Sequence, residues 1–85
     1  MKNVDEFKVY PVKKMYYVYL LRSINNSQKT YIGYTTNLKE RVKKHNEGGF
    51  VATATHRPWK VEVHLAFANQ EKAIYFIDYF FMGNT

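Results

Sequence analysis

Four side chains in the first half of the sequence are of the types that take part in phosphate-ester hydrolysis. Tyr19 and Tyr31 fall in two consecutive predicted strands. Arg41 and His45 lie four residues apart, on one side of the helix predicted after them. A phenol or an imidazole can take a proton from an attacking water, and a guanidinium can stabilise the charge that develops on phosphate oxygens. Strand tyrosines usually pack and helical arginines are usually solvated, so a purely structural interpretation of these residues stays open.

A β-hairpin followed by a helix would place these four side chains near one another. Residues 15–21, MYYVYLL, are β-branched and aromatic and predict a first strand, and a polar turn separates them from a second strand over 30–34. Hairpin pairing can bring the two phenol groups to one end of the sheet. Thr36 or Asn37 is a suitable N-cap for a basic helix over 38–46, which carries the guanidinium and the imidazole.

The rest of the chain predicts one more strand and one more helix. Residues 50–59 are rich in small side chains and threonine, and with Pro58 they predict a loop without a helix. Residues 60–66 alternate polar and apolar, which predicts a third strand whose two valines and leucine face the core and whose His64 faces solvent. A last helix is predicted over 70–82. The sequence therefore predicts an α+β fold, in which a three-stranded antiparallel sheet is flanked by helices in a small sandwich.

Chain length and composition limit the class of protein. The 85 residues allow one small domain, predicted over 15–85 after an N-terminal extension over 1–14. The absence of cysteine excludes a disulfide scaffold, thiolate catalysis and a Cys-ligated zinc site. No apolar run approaches the roughly 20 residues needed to span a bilayer, and the first residues lack the apolar stretch of a signal peptide. A cytoplasmic protein is therefore expected.

Positive charge is concentrated in the first two thirds of the chain. The formal net charge is +6, and residues 36–60 carry six basic and two acidic side chains, whereas residues 61–85 carry one basic and three acidic. This asymmetry favours a polyanionic partner such as DNA on one face of the domain. A solvated surface that keeps a small protein soluble is the alternative.

The spacing of the candidate residues resembles a known nuclease motif. It comprises YVY at 17–19, YIG at 31–33, T-x-N-L-x-x-R-x-x-x-H-N at 35–46 and T-x-T-x-R-P-W-K at 53–60. Together these segments resemble the GIY-YIG nuclease superfamily, in particular its small, single-domain bacterial branch. The resemblance extends from about residue 15 to the end of the sequence.

The resemblance implies cleavage of DNA phosphodiesters with one divalent metal ion, usually magnesium. It implies that Tyr19 and Tyr31 position or activate the attacking water, that Arg41 stabilises the pentacovalent phosphate, and that His45 lies at the helix end near the active site. It also implies substrate contacts by the motif glycine and by basic or polar side chains of the helix and the following loop: Gly33, Lys39, Lys43, Lys44, Asn46, Arg57 and Lys60.

The last predicted helix departs from the family pattern at the metal ligand. The family holds its metal with a glutamate on this helix, and alignment on Ala73 puts Ile77 at that position and Phe81 at the position of a following lysine. An isoleucine side chain has no oxygen for a hard cation. Asp78 would reach the position only if the alignment shifted by one residue, because it lies about 100° around the helix. A magnesium-dependent endonuclease and a catalytically inactive nucleic-acid-binding relative both stay open.

The same helix suggests a third hypothesis, in which the chain is a protein-interaction module. Residues 75–81, YFIDYFF, contain five aromatic side chains and would be apolar nearly all round a helix. A homodimer or a protein partner could cover Tyr75, Phe76, Tyr79, Phe80 and Phe81. An aromatic helix that serves only the core is the alternative.

Overall fold

The first strand lies at the centre of a three-stranded antiparallel sheet with the order β2-β1-β3. The computed structural model describes residues 14–79. In chain order its elements are β1 (Tyr16–Ser23), β2 (Thr30–Thr35), α1 (Leu38–Asn46), α2 (Val51–Ala54), β3 (Trp59–Phe67) and α3 (Gln70–Ile77). This arrangement confirms the predicted α+β fold class. Nearly all of the predicted N-terminal extension lies outside the described residues, as do Phe80 and Phe81.

Strand β1 supplies most of the core because both of its neighbours are strands. Val18, Tyr19 and Leu21 are buried, and the last two form the central cluster with Trp59 at the start of β3. An uninterrupted run of aromatic and β-branched residues suits a strand that is covered on both faces. Within residues 14–79, no helix is both long and apolar enough to cross a membrane.

Strand β3 contains an irregularity that the sequence did not predict. Leu20 pairs with Val63 but its neighbour Leu21 pairs with Val61, so that Glu62 is an extra residue in the ladder. An extra residue reverses the alternation of side chains along a strand. Val61 therefore lies on the face that α1 covers, while Val63 lies on the face that α3 covers.

The prediction that the valines and the leucine of β3 share one buried face was wrong. Val61, Val63 and Leu65 are 36%, 53% and 39% exposed. His64 is exposed, as predicted, but it lines the same cleft as Val61 instead of facing away from it. The bulge explains why the three side chains do not share a face, because it moves Val61 to the other side of the sheet.

The prediction of a loop without a helix over residues 50–59 was also wrong. Helix α2 occupies Val51–Ala54 and ends well before Pro58. A proline excludes helical structure only at its own position and close before it, so the first half of this segment can turn once. The indole Nε1 of Trp59 donates a hydrogen bond of 2.8 Å to the backbone oxygen of Thr53, which attaches α2 to the start of β3.

Helix α1 begins with a reciprocal cap that fixes its position relative to β2. Of the two candidate N-caps, Asn37 is the one that caps the helix, since its Oδ1 accepts a hydrogen bond of 3.2 Å from the backbone N–H of Glu40. Its Nδ2 donates to the Glu40 carboxylate at 3.0 Å. Gly48 follows the helix with φ of +82°, a conformation that other residues rarely adopt.

Helix α3 covers the sheet with one side and exposes aromatic rings on another. Ala73 is fully buried, and the ring of Phe76 lies 5.6 Å from that of Phe67 in β3. Tyr75 and Tyr79 are 69% and 59% exposed, with their rings stacked 6.1 Å apart. Contact with a partner protein through these aromatic residues stays a prediction.

Candidate active site

The ring of Tyr19 lies across the neighbouring strand directly over Gly33. The two residues are opposite each other in the β1–β2 register. A Cβ atom at position 33 would lie 2.3 Å from both the Cζ and the hydroxyl oxygen of Tyr19. Gly33 was predicted to permit close approach of backbone or substrate. In the structure the group that approaches it is the phenol ring of Tyr19.

A buried chain of hydrogen bonds runs from this phenol into the protein. The Tyr19 hydroxyl lies 2.9 Å from His45 Nε2, and His45 Nδ1 lies 2.7 Å from the hydroxyl oxygen of Thr53. All three side chains are at most 1% exposed. A neutral imidazole donates from one nitrogen and accepts at the other, so two hydroxyl groups satisfy it completely. Within residues 14–79 no buried side-chain nitrogen or oxygen lacks a partner.

The environment of this chain keeps both titratable groups neutral. Burial lowers the pKa of His45, and the positive charge of Arg41 lowers it further. Burial raises the pKa of Tyr19, although a hydrogen bond and the charge of Arg41 act in the opposite direction. Near neutral pH the site therefore holds an uncharged imidazole and an uncharged phenol.

The buried imidazole should make stability fall on mild acidification. In the unfolded chain a histidine binds its proton with a pKa of about 6.5, whereas in the folded protein the pKa of His45 is lower. The neutral imidazole therefore contributes its full stabilisation at a pH above the pKa that His45 has in the unfolded chain. This contribution is lost as the pH falls towards the lower pKa that His45 has in the folded protein. Urea unfolding between about pH 7.5 and about pH 5.5 should show this loss.

Two variants test this origin of the pH dependence. His45→Gln should remove the dependence, because no titratable group is left at that position. His64→Gln should keep it, because His64 is exposed on β3. If His45→Gln loses as much stability on acidification as the wild-type protein, the pH dependence does not come from His45.

The other two predicted catalytic side chains lie beside the same imidazole. The ring of Tyr31 is 5.0 Å from that of His45, so the two signature tyrosines flank it. Tyr31 is half-buried and is the more accessible of the two phenols. A terminal nitrogen of Arg41 donates a hydrogen bond of 3.3 Å to the backbone oxygen of Tyr34, which holds the guanidinium near Tyr19.

Phe50 belongs to this cluster, and the sequence analysis missed it. Its ring lies 4.6 Å from the His45 ring, and the Arg41 guanidinium carbon and the Lys44 ammonium lie 5.4 Å and 4.9 Å from its centroid. Phe50 therefore contacts the buried imidazole and also holds two cations over its π-face. Thr53 was missed as well. An isolated aromatic residue after two glycines, and a threonine three residues later, have no pattern that would connect them with His45.

An open cleft of about 260 Å³ lies next to the cluster, at the beginning of α1. Its walls are Thr35, Thr36, Asn37, Glu40, Arg41 and Lys44. We name it the Arg41 cleft. Its two cationic side chains, Arg41 and Lys44, are the same two that lie over the ring of Phe50. The arrangement can bind an anionic group such as a phosphate and stabilise additional negative charge on it.

Three other predicted substrate-binding lysines are exposed. Lys39 and Lys43 lie on α1 and line a shallow cleft of about 330 Å³ with Asn37 and Glu40. Lys43 also forms a salt bridge of 3.1 Å with Glu47. The third, Lys60, is on β3. All three side chains are accessible to a polyanion from solvent, although Lys43 would exchange its salt bridge with Glu47 for a phosphate.

Two predicted substrate-binding residues form hydrogen bonds with the backbone of the protein. The side-chain amide of Asn46 donates to the backbone oxygen of Trp59 at 3.0 Å and accepts from its N–H at 2.6 Å. Arg57 Nε donates to the backbone oxygen of Ala54 at 2.8 Å, at the end of α2. Both ends of the Asn46 amide are thus occupied by the backbone of Trp59, and contact of Asn46 or Arg57 with substrate stays a prediction.

Comparison with known proteins identifies the family. The sequence model of the GIY-YIG catalytic domain matches residues 15–79. The chain belongs to the GIY-YIG family. It is similar to a structure-specific endonuclease subunit slx1 of Aspergillus terreus, with 41% identity over 66 residues, which are 72% of this chain and 17% of that protein. A UPF0213 protein of Pediococcus acidilactici is 35% identical over 74 residues, which are 84% of this chain and 72% of that protein.

The match to the fungal proteins is local. A second one, the SLX1 subunit of Podospora anserina, is 38% identical over 72 residues. The chain spans only 17% and 21% of these two fungal relatives. The likeness therefore concerns a GIY-YIG domain within longer proteins.

The described residues do not fit the metal that the GIY-YIG resemblance implies. Ile77 is half-buried at the end of α3, and Asp78 is exposed after it. Glu40 lines the Arg41 cleft, but its carboxylate accepts a hydrogen bond from Asn37. Residues 14–79 contain no group of three or more His, Cys, Asp or Glu side chains placed to hold a metal ion. Magnesium is commonly held by one or two carboxylates together with water and substrate phosphate, and the misfit is that the isoleucine at position 77 offers no oxygen in place of the single glutamate.

Proposed function

We propose that this chain binds DNA in the Arg41 cleft and acts there on a phosphodiester. The observation that carries the proposal is the convergence of Tyr19, Tyr31 and Arg41 around one buried histidine, next to an open cationic cleft. The match to the GIY-YIG catalytic domain supports it. Two fungal relatives are named as subunits of structure-specific endonucleases, which agrees with a nuclease acting on DNA.

In this proposal each side chain has a limited task. Arg41, with Lys44 beside it, binds the phosphate and stabilises the negative charge that grows on its oxygens. Tyr31 is the phenol that reaches the substrate or the attacking water, since Tyr19 is almost completely buried. Tyr19 and His45 form the uncharged hydrogen-bonded support behind these groups. Exposed lysines of α1 steer the DNA backbone towards the cleft.

A second candidate function is DNA binding without cleavage. In the family a divalent metal ion, usually magnesium, polarises the phosphate when it is bound. Ile77 stands at the position of the glutamate that would hold it, and no step through a metal is assigned to this chain. An inactive relative would keep salt-sensitive binding, in which each phosphate contact contributes about one to the logarithmic salt slope.

A nicking assay on supercoiled plasmid with Mg²⁺ or Mn²⁺ tests the proposal. We expect the wild-type chain to nick the plasmid and Arg41→Ala to lose about 10²- to 10³-fold in rate, because the charge on the phosphate is no longer stabilised. Arg22→Ala is the matched control. Arg22 pairs with Glu62 at 2.8 Å on the sheet, away from the cleft, and its replacement should leave the rate unchanged.

The variant Ile77→Glu separates the two candidate functions. Cleavage by this variant and not by the wild-type chain would establish that the site binds DNA but has lost the side chain that holds the metal ion. Cleavage by the wild-type chain would establish the nuclease. If neither protein cleaves or binds DNA, both candidate functions are wrong.

A further inference from the structure

A larger and mostly apolar groove adjoins the Arg41 cleft on the other side of Asn37. Its volume is about 610 Å³. Leu38 and Val42 of α1 form one wall, and Tyr17, Val61 and His64 of the sheet form the other. The β3 bulge creates part of this surface, because it turns Val61 to the same face as His64. We name it the Tyr17 groove.

The Tyr17 groove and the Arg41 cleft are adjacent. Thr36 and Asn37 line both of them, so the start of α1 is their common border. One side of this border carries the guanidinium and an ammonium group, and the other carries aromatic and aliphatic side chains. The exposed Lys39 also lines the groove. A ligand that extends over both sites must have an anionic part joined to a flat apolar part.

We propose that the Tyr17 groove binds an unpaired nucleobase of the strand whose phosphate lies in the Arg41 cleft. A nucleotide combines an anionic phosphate, which suits the cationic cleft, with a flat base, which suits the apolar groove beside it. This proposal rests on the DNA binding proposed above and specifies the form of DNA that the same site takes.

The geometry of the groove suits stacking on one face of a base. The rings of Tyr17 and His64 lie 6.2 Å apart and are tilted by 58°. The groove therefore presents two neighbouring aromatic rings to a ligand, as a stacking site for a base requires. Tyr17 is half-buried and held in the central strand, so it offers a fixed ring at little entropic cost. A base inside a duplex is paired and stacked on its neighbours and must leave the helix to enter the groove.

Binding measurements on the full chain without divalent metal test the proposal. The probes are a fluorescent single strand of about 12 nucleotides, a duplex of the same length, and single strands in which each base in turn is removed. We expect the single strand to bind more tightly than the duplex. Loss of one particular base should weaken binding about five- to 150-fold, which corresponds to about 1–3 kcal/mol for one stacked base.

Variants locate the effect in the groove. Tyr17→Ala and His64→Ala should weaken binding of the single strand while duplex binding stays the same. Tyr75→Ala is the control, because it removes an exposed aromatic ring from α3, outside the groove. Circular dichroism and thermal melting confirm folding. If Tyr17→Ala fails to fold, the result for His64→Ala decides the test, because this substitution is at an exposed position.

The outcomes separate this proposal from the proposed function. If the chain binds DNA but the groove variants weaken single strand and duplex equally, or strands without a base bind as tightly as intact ones, the groove has another occupant and the inference is wrong. DNA binding that depends on Arg41 then still stands. If the wild-type chain binds no DNA, both are wrong.

Discussion

Replacing His45 with alanine should cost the domain about 2–4 kcal/mol of folding free energy, because two buried hydroxyl groups lose their bond to the imidazole: the first keeps Arg41 as a partner and loses about 1 kcal/mol, and the second is left without its partner at about 1–3 kcal/mol. These are the hydroxyls of Tyr19 and Thr53, at 2.9 Å and 2.7 Å from the ring nitrogens. The emptied space adjoins Phe50, whose ring contacts the imidazole at 4.6 Å. Since small domains are stable by only about 5–15 kcal/mol, this loss is a large part of the total folding free energy.

Urea unfolding followed by circular dichroism measures this loss. The control is His64→Ala, which removes the same side chain from an exposed position on β3 and should change stability by less than about 0.5 kcal/mol. A His45→Ala protein as stable as the control would show that the buried hydrogen bonds contribute little.

Replacing Gly33 with alanine should be almost as damaging, although it adds only one methyl group. Its Cβ would lie 2.3 Å from two atoms of the Tyr19 ring system, and that ring is held by buried surroundings. Overpacking of this kind costs about 1–3 kcal/mol and occasionally more. A displaced ring would also lose its hydrogen bond to His45, so DNA cleavage should decline together with stability.

Gly49→Ala is the matched control for this substitution. A Cβ at Gly49 would meet Cγ of Lys44 at 2.6 Å and the backbone oxygen of Lys44 at 3.2 Å, but the lysine side chain is exposed and can shift, and the backbone contact needs only a small adjustment. Thermal melting should therefore show a large decrease for Gly33→Ala and a small change for Gly49→Ala. Equal melting temperatures for the two variants would mean that the Tyr19 ring can move without cost.

Both predictions concern the same arrangement, in which a buried phenol is fixed from two sides. Gly33 leaves room for the ring, and His45 binds its hydroxyl. The support for the reactive groups is therefore part of the hydrophobic core. Variants of these residues require a stability measurement beside every activity measurement.

Local sequence patterns were sufficient to predict the sheet and its two longer helices. The run MYYVYLL and the capped basic helix over 38–46 have the composition and periodicity of their elements. Because a hairpin and the helix after it are close in sequence, the spacing of Tyr19, Tyr31 and Arg41 predicted their convergence. The substitution at Ile77 was likewise visible in the sequence alone.

The errors arose where distant parts of the chain decide the local structure. The alternation in β3 is compatible with a regular ladder, and only its pairing with β1, about 40 positions earlier, places the bulge at Glu62. Helix α2 is too short to be stable alone and is attached through Trp59. The hydrogen bonds of Asn46 to the backbone of Trp59, 13 residues away, were likewise not visible in the local pattern.

The sequence by itself determined the fold class, the GIY-YIG relationship, the four side chains that meet around the site and the absence of a carboxylate at position 77. Only the tertiary structure decided that His45 is enclosed by Tyr19, Thr53 and Phe50, and that an apolar groove adjoins the Arg41 cleft. Types and spacings of residues are local properties that sequence records directly. Burial, and with it the neutral state of the imidazole and the shape of a groove, depends on which distant side chains pack together.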